Sequence, residues 1–163
     1  MSFVWCFSRV FIGTPPGRKR YNVLGAINAV SMELTMVSND TYINAKSVCL
    51  LLKKLYLQYL EQPITLVLDN ARYQKCKLVR RYARILGIQL LYLPSYSPQL
   101  NLIERLWKFV KKKVFHGKYY PSFEEFKSAL KQFLDQLKNC NHQLKSLLTW
   151  NFQSFEKIQI LTC

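Results

Sequence analysis

The segment from 64 to 93 constrains the fold most. "ITLVLD" is a short continuous apolar run, the signature of a strand covered on both faces; "YQKCKLVRRYARILG" is helical in character up to a stop at Gly87; "IQLLYL" is a second buried run. Strand, helix and strand within about thirty residues make a βαβ unit, whose right-handed crossover sets the two strands parallel. The chain is therefore predicted to be α/β. Its 163 residues suit one domain, and the 50% of apolar residues suffice for a core.

The flanking segments fit the same class. Residues 3–12 read as a strand that ends at "GTPPGRKR", and "YNVLGAINAV" and "MELTMVS" follow as two more short runs, together a meander of three antiparallel strands over 3–38. Residues 44–61 carry Val48, Leu51, Leu52, Leu55 and Leu60 at helical spacing. Past the turn-rich "PSYSPQ", residues 101–115 form a helix with Ile103, Trp107, Val110 and Val114 on one stripe. Ser122 and Glu125 make a capping box for the first of the C-terminal helices over 122–163, whose last stretch is weakly patterned.

Charge narrows the partner. Twenty-four Lys and Arg against nine Asp and Glu give a net charge of +15, which predicts attraction to a polyanion, nucleic acid above all; a ribosomal-type or merely soluble basic protein is the plainer alternative. Five widely spaced cysteines without a C-x-x-C pair suggest neither a disulfide framework nor zinc, and His116 and His142 lack ligand-spaced partners. No apolar run has membrane length and the start lacks the features of a secretory signal, so a cytoplasmic, DNA-associated protein is expected.

Two acids stand apart in this basic chain. Asp69 ends the first βαβ strand, where α/β folds gather ligands, although a turn or cap residue is equally at home there. Glu104 lies in the helix after "PSYSP"; capping with Asn101 or an ion pair with Lys108 would also account for it. If that loop returns the chain toward the Asp69 strand, the two carboxylates meet around a hard cation, Mg²⁺ or Mn²⁺, of the kind that assists phosphodiester chemistry. Arg18, Lys19 and Arg20 in the basic loop, Arg72 and its neighbours on one helix, and Arg105, Lys108, Lys111 and Lys112 on another are candidate DNA contacts, with solvated helix faces as the plain alternative.

"TLVLDNARYQKC" and "LYLPSYSPQLNLIERLWKFVKKK" resemble the second-aspartate and glutamate motifs of insertion-sequence transposases of the mariner superfamily, down to the P-x-Y-S-P-x-L-N-x-I-E core. Thirty-four residues lie between Asp69 and Glu104, similar to the family's spacing. The resemblance implies an RNase H-like mixed sheet flanked by helices and a DDE triad that cleaves and joins DNA strands with divalent metal. It implies Asp69 and Glu104 as catalytic residues and metal ligands, with Asn70, Ser97 and Asn101 shaping the site. The family's first aspartate, on the first central strand, has no counterpart, because no acid precedes Glu33. A partial catalytic domain with that strand missing, inactive or nearly so alone, is therefore expected, with unpaired inward edges on the strands at 3–12 and 64–69. Other readings are a non-catalytic DNA-binding remnant and a protein that pairs with full-length transposase; a homo-oligomer is a further possible assembly.

Overall fold

The protein was analysed as a computed structural model that describes residues 2–6, 19–60, 62–94 and 100–148. Five strands form one mixed sheet in the order β3-β2-β1-β4-β5: β1 Ser2–Cys6, β2 Asn22–Asn28, β3 Leu34–Asn39, β4 Ile64–Leu68 and β5 Gln89–Tyr92. β1, β2 and β3 are the antiparallel meander, and β4 and β5 the parallel pair of the βαβ unit.

The centre of the sheet differs from expectation. β1 takes it, antiparallel to β2 and parallel to β4 in a register that sets Ser2 opposite Ile64 and Cys6 opposite Leu68. The central position expected to be missing is filled, and neither inward edge is open. Backbone N–H and C=O groups along a strand edge need partners, and an apolar run satisfies them wherever it fits. A strand's own alternation does not reveal which strands it lies between. Residues 7–12 of the predicted strand fall outside the described residues.

Alternation along β2 and β4 divides the core in two. Leu24, Ala26, Ile64, Leu66 and Leu68 point to one face, where they meet Val48, Leu51, Leu52 and Leu55 of α1, Ala45–Gln58, and Val79 and Ala83 of α2, Lys77–Ile85. Val23, Ile27 and Val67 point to the other, beneath Leu102, Ile103, Leu106, Trp107 and Val110 of α3, Leu102–Val114. α4, Phe123–Asp135, and α5, Asn141–Leu147, complete that second layer through Phe126, Leu130, Leu134 and Leu144. Each such buried Val, Leu, Ile or Phe side chain contributes about 1.5–3 kcal/mol. Gly25 lies under the α3 layer, where a Cβ would stand 3.0 Å from Leu34 Cδ1 and 3.3 Å from Trp107 Cζ2. A methyl group there would press on both and make them give by a few tenths of an ångström.

Three local expectations need correction. α2 begins at Lys77 rather than Tyr73, because Asp69 Oδ1 accepts from Ala71 N at 3.2 Å and the Tyr92 hydroxyl donates to the Gln74 carbonyl at 3.1 Å, holding 69–76 in turns. β5 is half-exposed rather than buried on both faces: it is the edge strand, and Leu91 is 49% exposed on the face that α2 does not cover. α1 stops at Gln58, so Leu60 lies beyond its stripe and is exposed, while Tyr59 is buried instead. Gly87 ends the α2 region with φ +66, as its placement predicts. The tail from 149 lies outside the described residues.

Candidate active site

Asp69 follows directly on β4, and strand parity carries it to the face of Val67, the face that α3 covers. Its neighbourhood is tied down from both sides. Leu93 N donates to Leu68 O at 2.8 Å, and Asn70 Nδ2 donates to Leu93 O at 2.7 Å, so the chain leaving β5 is laced to the chain leaving β4. Asn101, 2% exposed, then caps α3 by accepting from Ile103 N, and Glu104 N donates to Asn101 O at 3.1 Å. The buried stripe of α3 fixes the rotation of the helix, which leaves Glu104 half-buried in its first turn.

The charge of Glu104 acts on Asp69. Burial is the main cause that pushes the Asp69 pKa above the ordinary carboxylate value, and the negative charge of Glu104 pushes it the same way. The Ala71 N–H and the Gln74 amide oppose that rise. Gln74 is fully buried beside Asp69, and its amide completes no well-aligned hydrogen bond. No sequence signal singles this residue out, since in a stretch read as helical a lone Gln passes for a solvent-facing position. A desolvated carboxylate repelled by a second one is a place where a hard cation would be stabilised. Two carboxylates would supply two of the six oxygens that a Mg²⁺ or Mn²⁺ ion takes, water being the usual remainder. No cluster of three or more His, Cys, Asp or Glu side chains suited to a metal occurs among the described residues. Glu33 reaches toward Tyr59 and Gln58 at the opposite end of the sheet, and Asp40 pairs with Lys127 at 2.8 Å; neither joins the pair.

The basic candidates divide. Arg72 is exposed in the turn after Asp69, and Arg105 is half-buried next to Glu104. Lys108, Lys111 and Lys112 are exposed on α3, but Lys112 lies about 12 Å further along the helix axis than Glu104. Lys111 and Lys112 stand in the last turn, where cations also complement the helix dipole. The basic residues of α2 belong to the opposite layer of the sheet, so the two helices do not present one continuous surface. Lys19 and Arg20 are exposed just before β2, whereas Arg18, Ser97 and most of "PSYSP" lie outside the described residues.

Comparison with known proteins gives these features a context. The family described as DDE superfamily endonuclease matches residues 9–127. The chain belongs to this family. A curated relative, the insertion element IS630 uncharacterized 39 kDa protein of Shigella sonnei, is 24% identical over 124 residues, which are 75% of this chain and 36% of the relative. The chain thus spans about a third of that relative's length. Among solved structures, the Mos1 transposase catalytic domain with raltegravir and Mg superposes with a TM-score of 0.63 at 15% identity, covering 94% of this chain and 85% of that one. The catalytic core domain of BIV integrase does so with a TM-score of 0.58 at 17% identity, covering 83% and 82%. The RNase H-like integrase and transposase fold predicted from the two motifs is the fold observed, and no helix among the described residues is long and apolar enough to cross a membrane.

Proposed function

We propose that Asp69 and Glu104 are two members of a metal-binding acid set for DNA strand cleavage and strand transfer, within a transposase that acts on the ends of a mobile element and on target DNA. The observation that supports this reading is the placement of Asp69: it is half-buried at the end of β4, where burial is the main cause of its raised pKa and the charge of Glu104, delivered from another element, a lesser one. A divalent ion held there would polarise a phosphodiester oxygen and lower the pKa of a bound water or hydroxyl. The residues themselves have simpler tasks. Asp69 is oriented by the Ala71 N–H, Asn101 fixes the start of the helix that carries Glu104, and Arg72 and Arg105 offer positive charge to the phosphates on either side.

With two acids rather than three, the chain by itself is expected to cleave DNA orders of magnitude more slowly than a complete triad, because members of such a set act as a unit. A second reading, a DNA-binding remnant without chemistry, is favoured by the same two-acid set together with the +15 charge. Nicking of supercoiled plasmid in Mn²⁺ separates the two. Slow nicking that disappears in Asp69→Asn and in Glu104→Gln supports the first; DNA binding with no nicking above the level of those variants supports the second.

A further inference from the structure

A second feature lies at the same end of the sheet as Asp69. β2 runs antiparallel to β1 and β1 parallel to β4, so the start of β2 and the end of β3 emerge at the edge where β4 delivers its aspartate. There the chain builds a groove of about 620 Å³ from three segments: Lys19 and Arg20 ahead of β2, Asp40 to Tyr42 after β3, and Phe123 and Glu124 at the start of α4.

The walls are fastened. Buried Asn22 donates from Nδ2 to Asn39 Oδ1 at 3.1 Å and to Thr41 O at 2.9 Å, and Asn39 Nδ2 donates to Tyr42 O at 3.1 Å, which fixes the β3–α1 loop against the start of β2. Lys127 of α4 bridges to Asp40 at 2.8 Å and stands 5.0 Å from the ring centre of Tyr21, joining the other wall. Within this frame cations and rings interleave. The Arg20 guanidinium lies 5.0 Å from the centre of Tyr42, a ring 68% exposed, and Lys19 Nζ lies 5.8 Å from the centre of Phe123. Asp40, one of the acids lining the groove, is engaged by Lys127, and Glu124 is the other acid among the lining residues.

We propose that this groove binds unpaired nucleotides of a DNA strand, a base stacking on Tyr42 with Phe123 as a second platform, while Lys19 and Arg20 hold the flanking phosphates. An exposed ring capped by a cation, as Tyr42 is, suits this ligand, with the half-buried Phe123 offering a smaller face beside it. A base can take the place of the cation on the ring, and the cation then meets the phosphate that accompanies the base. Duplex DNA cannot use the rings, because its bases already stack on one another. The concave volume falls in the range of sites that enclose small ligands, whereas a rigid duplex would span its mouth. The choice of DNA rests on the reading of the carboxylate pair given above; the groove itself needs no metal.

Fluorescence anisotropy in EDTA tests it, with a labelled oligothymidylate, an abasic strand of equal length, and a duplex. The wild-type chain is expected to bind the thymidylate strand about tenfold more tightly than the abasic one. Tyr42→Ala should remove that preference, Tyr42→Phe should keep it, and Tyr56→Ala on α1 should leave it unchanged. Lys19→Ala and Arg20→Ala should weaken both single strands alike and lower the salt slope by about one each. Tyr42 is exposed enough for its truncation to spare the fold, which circular dichroism verifies. Equal binding of thymidylate and abasic strands by the wild type, or an unchanged preference in Tyr42→Ala, would overturn the proposal. The readout is binding without metal, so a failure of the carboxylate reading in the Mn²⁺ nicking assay leaves this outcome intact and distinguishable.

Discussion

The two faces of the sheet are built alike but differ in the acids they bear. On one, α1 and α2 cover Leu24, Leu66 and Leu68. On the other, α3 covers Val23, Ile27 and Val67 with Trp107 at its centre. The turn of parity between Leu68 and Asp69 separates them: Leu68 joins the α1–α2 core, and the next residue turns its carboxylate toward α3, whose first turn brings Glu104. In the proposed reading, a single residue of register thus decides which layer only packs and which would position chemistry. The same packing that buries Trp107 also sets the rotation of Glu104.

Truncating each layer should expose that asymmetry most strongly. Trp107→Ala is expected to cost about 3–5 kcal/mol and Leu52→Ala about 2–5 kcal/mol in urea unfolding. Only the first should also weaken Mn²⁺ binding by the protein that remains folded, since among the described helices only α3 carries one of the two proposed ligands. Equal weakening by both would mean that the site depends on global stability rather than on one layer. Gly25→Ala, which forces a methyl group against Leu34 and Trp107, should cost about 1–3 kcal/mol by the same measurement. Smaller still are the caps. Asn101→Ala and Asn44→Ala remove the N-caps of α3 and α1, and each should cost about 0.5–2 kcal/mol, with loss of metal affinity confined to the Asn101 variant.

The least effect comes from the charge on Asp69. Its folded-state pKa is raised, so the folded protein holds that proton more tightly than the unfolded chain, and stability from this group is present at low pH and falls as pH rises from the ordinary carboxylate value through the raised one. At neutral pH the metal-free wild type should therefore be slightly less stable than Asp69→Asn, and the difference should close on acidification. Thermal unfolding of both proteins across that window checks the sign; a wild type more stable than Asp69→Asn at neutral pH without metal would reverse it.

The α/β class, the βαβ unit and the two acids were legible because each is written in local pattern: continuous apolar runs, helical stripes, and isolated carboxylates at a strand end and a helix start. What stayed hidden depends on partners distant in sequence. The place of β1 at the centre of the sheet is a property of β2 and β4 as much as of Ser2–Cys6. The exposure of Leu91 follows from β5 being last in the strand order, which alternation cannot show. Gln74 was invisible because its burial is created by the turn after Asp69 and by Tyr92, 18 residues away. The groove beside β2 needed Asp40 and Lys127, 87 residues apart, to come together.

The most direct test is a Mn²⁺ titration of the purified chain, followed by the loss of the free-ion electron paramagnetic resonance signal. One ion per chain, displaced by excess Mg²⁺ and lost in both Asp69→Asn and Glu104→Gln while circular dichroism stays unchanged, is the expected result. Stoichiometric Mn²⁺ that persists when either acid is neutralised would show that the two carboxylates do not share a cation.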